Sequence, residues 1–250
     1  MDLQLEGRAA LVTGASSGIG RAIARGLALE GARVAITGRR RGNLEALAAQ
    51  IVAAGGAAPV VIVHDALDPA YVETVAARCA EALGAVRILV NNAGGSRPFG
   101  REATEQQWEE ALTLNFTRHR QLTSRLLPGM IEGRWGRVIN ITGKSEPENV
   151  NGAFCAKAAL TAWSKGLSRE VGAHGITVNC IPPGRILSDQ ILRNYTPEYR
   201  ARQSEREIPV GRYGEPEELA DLAVFLASPR AGYITGVVYP VDGGLRRYQY

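Results

Sequence analysis

Thr13-Gly14-Ala15-Ser16-Ser17-Gly18-Ile19-Gly20 decides how this chain folds. Residues 8–12 before it read as a short buried strand, and 21–29 after it as a helix. The three glycines therefore lie on a strand-to-helix turn. Gly14 allows the turn to be tight, Gly18 lets the backbone approach a pyrophosphate, and Gly20 lets helix and strand pack closely. The helix start offers N–H donors and the positive end of its dipole, and Ser16 and Ser17 add hydroxyls for phosphate oxygens. A Gly-rich turn by itself is compatible with a plain β–α loop; its place between strand and helix favours dinucleotide binding.

Outward from the turn the same alternation repeats. Strands are expected at 34–37, 60–64, 88–90, 138–141, 177–181 and 237–241. Helices are expected at 43–54, 69–83, 104–130, 153–171 and 215–226. The strand runs are apolar on both parities, as a sheet covered on both faces requires. Repeated βα units argue for a parallel, doubly wound sheet, with ligands at the carboxyl ends of its strands. No linker or repeat divides the 250 residues, so one α/β Rossmann domain is expected. The long irregular stretch 185–212 has the size of a substrate lid.

The second strand ends at Thr37-Gly38-Arg39-Arg40. An NAD site usually has an acid here for the ribose hydroxyls. Gly38 stands there instead, and arginines follow. A guanidinium fits a 2′-phosphate by charge and by bidentate geometry. The other reading is a solvated cationic helix entrance, though three cations at a helix N-terminus oppose its dipole and an anionic ligand would relieve that. NADP(H) is therefore favoured over NAD(H).

Composition sets bounds. A hydrophobic content of 45% and a charged content of 22% are ordinary for a soluble globular chain. A net charge of +4, with no like-charge run longer than Arg39-Arg40-Arg41, argues against nucleic acid. No apolar run reaches about 18 residues, and residues 1–8 lack a signal-peptide core. Cys79, Cys155 and Cys180 are scattered and odd in number, which fits a reducing, cytoplasmic setting without disulfides or metal.

The Thr13–Gly20 pattern resembles the dinucleotide motif of the short-chain dehydrogenase/reductase family, and more motifs extend the likeness over nearly the whole chain. Asn91-Asn92-Ala93-Gly94 resembles its sheet-stabilising motif, and Asp65-Ala66 its adenine-contacting pair. Pro183-Gly184-Arg185-Ile186, with Ser188, resembles the segment that binds the nicotinamide carboxamide. Tyr233-Ile234-Thr235-Gly236 and Asp242-Gly243-Gly244 resemble its C-terminal signature. Within the family the chain looks most like the 3-oxoacyl-[acyl-carrier-protein] reductase group. The resemblance implies a homotetramer built from 104–130, 153–171 and the C-terminal segment.

It also implies an Asn-Ser-Tyr-Lys tetrad, and there the match stops. Asn115 matches the Asn, which in the family holds a relay water, and Lys157 matches the Lys, which binds the nicotinamide ribose and lowers the Tyr pKa. Four residues before Lys157 stands Ala153, followed by Phe154; the Ser aligns with Gly143, beside Thr142. The other lysines, Lys144 and Lys165, follow Asn140 and Thr161 at that spacing, so no register recovers Tyr-x-x-x-Lys. Thr142, Lys144, Ser145, Tyr195, Tyr199 and Lys157 itself are the candidates to replace the acid. His64, His119 and His174 form no triad or ligand set, and packing is the favoured reading for them.

Two functions remain open. One is an NADP(H)-dependent carbonyl or alcohol oxidoreductase with altered proton delivery, which Asn115 and Lys157 favour. The other is a cofactor-binding protein without turnover, a sensor or partner subunit, which Ala153 and Gly143 favour. Arg185, Arg193, Arg200, Arg202, Arg206 and Arg212 weakly favour an anionic substrate; surface ion pairs with Asp189, Glu198, Glu205 and Glu207 explain them equally well.

Overall fold

The computed structural model describes residues 2–97, 99–143 and 146–248, and in these every strand lies parallel to its neighbours. The strands are β1 (Ala9–Thr13), β2 (Arg33–Gly38), β3 (Val60–Val63), β4 (Ile88–Asn91), β5 (Gly136–Ile141) and β6 (Ile176–Ile181), in the order β3-β2-β1-β4-β5-β6. The order reverses between β1 and β4, and a crevice opens at such a switch point above the carboxyl ends.

Alternate residues of β1 feed two cores. Ala10 and Val12 join Ile23, Leu27, Leu219 and Ala223 on one face, under α1 (Gly18–Leu29), α2 (Arg41–Ala53) and α9 (Pro216–Ala227). Leu11 joins Leu89, Val138, Val75 and Leu122 on the other, under α3 (Tyr71–Leu83), α5 (Arg118–Glu132) and α6 (Gly152–Val171). Burial on both faces is why these strands carry no polar alternation.

Three stretches differ from expectation. The single helix at 104–130 is two: α4 (Glu105–Leu112) and α5, joined through a π-helical turn, Thr113–Thr117. Asn115 lies in that turn and is fully buried. Its Nδ2 donates to the Ala111 carbonyl one turn back, where the ladder widens. The strand expected at 237–241 is reduced to isolated parallel bridges, Cys180 with Val238 and Pro183 with Val241. Pro182 has no N–H to donate, so the ladder along β6 breaks there and resumes with Val241 N donating to Pro182 O.

The stretch 185–212 is not irregular. It holds α7 (Asp189–Asn194) and α8 (Pro197–Glu207). Ser188 and Thr196 cap them, accepting from Ile191 N and Tyr199 N, and Pro197 opens α8 at the position where a missing N–H costs nothing. Among the described residues no helix is long and apolar enough to cross a membrane.

Candidate active site

A cleft of about 730 Å³ opens over the carboxyl ends of β1, β2 and β4. Its floor is the Gly-rich turn. Gly14 has φ +65°, and a Cβ there would lie 2.7 Å from Ala93 Cα. A Cβ on Gly20 would strike Asn92 Nδ2 and come within 2.6 Å of Gly14 O. Both glycines thus exist to seat the turn against Asn92 and Ala93. Thr13 Oγ1 completes the seat, accepting from Asn92 N and Ala93 N, each at 2.9 Å. Asn92 Nδ2 donates to the Thr13 and Gly14 carbonyls. Gly18, at φ +55°, has only Ser188 Cβ near a built Cβ, at 3.5 Å, and faces the cleft.

The end of β2 supplies cations. Arg39 Nη1 lies 3.8 Å from Asp65 Oδ2, across the cleft mouth. Arg40 Nη2 donates to Ser17 Oγ at 2.6 Å and to Ser16 Oγ at 3.3 Å. A Cβ on Gly38 would sit 3.3 Å from Ser16 Cβ, so an acid there would press on the turn. Asp65 is fixed by Leu67 N, which donates to Oδ1 at 3.0 Å.

The opposite wall is Asn92, Ala93 and Gly94 together with Pro183, Gly184, Ile186 and Ser188. Gly184 is pinned by donation to Val241 O, and a Cβ there would lie 2.5 Å from Asp242 Cα. Ser16, Ser17, Ile19, Arg39, Arg40, Asp65 and Ala66 also line the cleft. A Gly-lined turn at a helix N-terminus, two hydroxyls and two guanidiniums form a donor set suited to a dinucleotide bearing an extra phosphate. Sequence reading missed Ser96, Arg97, Leu114, Phe154 and Ile191 at the far end, where Arg193 of the expected lid also lies. They come from separate loops and helices, and no local pattern links them.

Asn115 and Lys157 both abut Gly94 of this wall, with Asn115 Oδ1 2.9 Å and Lys157 Cε 3.7 Å from where its Cβ would stand. Asn115 spends its amide on the backbone: Nδ2 donates to Gly95 O and Ala111 O, and Oδ1 accepts from Gly95 N. Lys157 Nζ donates to Thr142 O at 3.1 Å. The lysine stem runs between two glycines. A Cβ on Gly143 would lie 3.0 Å from Lys157 Cδ, and one on Gly94 3.7 Å from Cε. Burial pushes the Lys157 pKa down to about 8. Ala153, one turn earlier on α6, is buried, and Phe154 beside it lines the cleft. Tyr195 and Tyr199 stack on each other, with ring centres 5.0 Å apart, and do not line the cleft. Lys144 and Ser145 lie outside the described residues.

The alternation, the switch-point cleft and its Gly-rich floor define a class, and the chain belongs to the short-chain dehydrogenase/reductase family. A family model described as enoyl-(acyl carrier protein) reductase matches residues 14–246. The 3-oxoacyl-[acyl-carrier-protein] reductase of Escherichia coli (strain K12) is 37% identical over 248 residues, 97% of this chain and 99% of the relative. L-sorbose reductase from Gluconobacter frateurii, solved with NADPH and L-sorbose, superposes with a TM-score of 0.93 at 32% identity, covering 99% of this chain and 100% of that one. A 3-oxoacyl (acyl-carrier-protein) reductase from Agrobacterium tumefaciens C58 with NADP bound gives 0.91 at 32% identity, over 97% and 96%.

Proposed function

We propose that this chain is an NADP(H)-dependent oxidoreductase acting on a carbonyl or alcohol, with proton delivery that does without the family's Tyr and Ser. The observation that carries it is the cleft, with a Gly-rich turn as its floor and Arg39 and Arg40 at the end of β2. The solved relatives with NADPH and NADP bound support the same cofactor. Bound NADP(H) supplies the two-electron redox chemistry.

The chain's own residues do the rest. The turn amides with Ser16 and Ser17 hold the pyrophosphate, and Arg39 and Arg40 the 2′-phosphate. Pro183, Gly184, Ile186 and Ser188 close the nicotinamide end, with α7 and α8 as the lid. Lys157 holds the proton. Its stem runs between Gly94 and Gly143 and its amine donates to Thr142 O, while the Thr142 hydroxyl is buried and the Tyr195–Tyr199 pair is turned to itself.

Arg39→Ala should reduce the preference for NADPH over NADH by about 1–3 kcal/mol, toward the lower end because the guanidinium is exposed. Gly38→Asp should move the preference toward NADH. Binding titrations of both cofactors check this, and equal affinities in the unmutated protein contradict it. Reduction should also fall as pH rises past about 8, because Lys157 must carry the proton it gives. A rate flat from pH 6 to 10 would remove Lys157 from that role.

A second reading, an inactive NADP(H)-binding sensor or partner subunit, is favoured by Asn115, whose amide is consumed by Gly95 and Ala111. Steady-state NADPH oxidation over aldehydes, ketones, keto sugars and oxoacyl thioesters separates the two. Oxidation with at least one class supports the enzyme; tight binding with none supports the second reading. An anionic substrate is supported by Arg193 in the cleft wall. Arg185 also lines the cleft, 3.9 Å from Glu207, whereas Arg200 and Arg212 are engaged by Tyr195 O and Glu218.

The proposed assembly is a homotetramer through α4, α5, α6 and the C-terminal segment. Exposed Leu112, Tyr233, Val237 and Val238 are the apolar residues it would cover. Light scattering at micromolar concentration should give four copies, and a monomer contradicts it. Free Cys79, Cys155 and Cys180 support a cytoplasmic setting.

A further inference from the structure

We propose that Arg118 is a positioning residue for the cofactor: it holds the loop between β3 and α3 so that Asp65, Ala66 and Leu67 form the adenine end of the cleft. The proposal rests on the cleft binding NADP(H).

Chemistry assigns the ends of the cleft. The Gly-rich turn suits the pyrophosphate, and Arg39 and Arg40 stand where a 2′-phosphate would lie. The base then falls beyond β2, against the end of β3. Asp65, Ala66 and Leu67 line the cleft there, and Leu114 of the π-helical turn is in the same wall.

This loop is held only in part from within. Asp65 Oδ1 accepts from Leu67 N at 3.0 Å, and Asp65 O accepts from Asp68 N at 3.1 Å. The carbonyls of Ala66 and Leu67 have no such help: among the described residues no backbone N–H donates to either. Ala66 is buried, and a carbonyl left without a partner there is costly.

Arg118 supplies both partners. Its Nε donates to Ala66 O at 2.8 Å and its Nη2 to Leu67 O at 3.4 Å. Its Nη1 donates to Gln121 Oε1 at 2.9 Å, one turn along α5, which fixes the plane of the fork. Among the described residues no carboxylate pairs with Arg118, so the guanidinium serves main-chain carbonyls rather than an ion pair. A planar fork that donates at two points sets the orientation of the loop as well as its distance. Arg118 opens α5 directly after the π-helical turn, so one element brings Leu114 to the cleft wall and Arg118 to the loop. The Asp65–Arg39 contact is exposed and 3.8 Å long, too weak to carry the effect on to the 2′-phosphate.

The test is binding and needs no turnover. Arg118→Met keeps an aliphatic stem and removes the donors. Titrated well below its unfolding temperature, it should bind NADPH, NADH and adenosine 2′,5′-bisphosphate each about tenfold more weakly than the parent, because all of them carry the adenine. The preference for NADPH over NADH should stay unchanged, whereas Arg39→Ala shifts it. Arg118→Lys keeps a donor for Ala66 O and should fall between parent and Met variant. An Arg118 that only stabilises the fold would lower the unfolding temperature and leave all three affinities at parent values; that result overturns the proposal. So does a loss confined to NADPH and the bisphosphate, which lost charge near the 2′-phosphate would give. If Arg118→Met does not fold, Arg118→Gln is titrated in its place, with the same outcomes. A parent that binds neither dinucleotide refutes the cofactor reading and this role with it. A parent that binds NADPH, with a Met variant that binds it equally well, refutes the role of Arg118 alone.

Discussion

Ala153→Tyr combined with Gly143→Ser should raise reduction of a generic activated ketone by ~10²–10⁴, the range of general acid catalysis. The Tyr stands one helical turn from Lys157, whose charge favours the phenolate and lowers the phenol pKa from about 10. The Ser adds a donor for the substrate oxygen. The geometry sets the order of gains. A Cβ at position 143 comes within 3.0 Å of Lys157 Cδ, so the lysine stem must shift by a few tenths of an ångström. Ala153 is 6% exposed, so a phenol there must turn toward the cleft beside Phe154. The Tyr alone should give a partial gain, the Ser alone little, and the pair the most. The measurement is ketone-dependent NADPH oxidation in all three variants, after each is shown to bind NADPH. No gain in any of them would put the inactive-binder reading ahead.

Lys157→Met should act in opposite directions on activity and stability. Turnover should fall by ~10²–10⁴, as when the proton donor is removed. Stability without cofactor should rise at neutral pH. Between about 8 and 10.5 the unfolded chain holds a proton on Lys157 that the folded chain has released. Stability therefore climbs with pH across that window, and below it the whole cost of burying the ammonium is present. That cost is about 3 kcal/mol at 1.36 kcal/mol per unit, offset in part by the bond to Thr142 O. Urea unfolding should show Lys157→Met more stable than the parent by about 2 kcal/mol at pH 7, with the gain vanishing above pH 10. A variant less stable at both values would mean that the lysine packs without strain.

Much of the fold is legible in the sequence because its signals are local. Thr13–Gly20 places the first turn, and the apolar runs locate all six strands of the sheet to within two residues. What escaped has identifiable causes. The π-helical turn at Thr113–Thr117 depends on Asn115 reaching Gly95, a contact 20 residues back. Thr196-Pro197 is a local helix-start signal inside 185–212, where the arginine-rich composition without an apolar stripe hides α8. The strand at 237–241 gave way to Pro182, whose missing N–H acts on a partner more than fifty residues away. The cofactor side of the site lies in contiguous motifs, whereas Phe154, Arg97 and Arg193 meet only in the folded chain.

The central claim is that the cleft not only binds NADPH but lets it react although Ala153 stands where a Tyr would. The most direct test is a single turnover. The protein is loaded with one equivalent of NADPH per cleft and mixed with saturating carbonyl compounds, and the nicotinamide absorbance is followed alongside Lys157→Met. Loss of the reduced-nicotinamide signal with at least one carbonyl class, in a single phase slowed by ~10²–10⁴ in the variant, is the predicted result. A signal that stays fully reduced with every class, while NADPH remains bound, would contradict it.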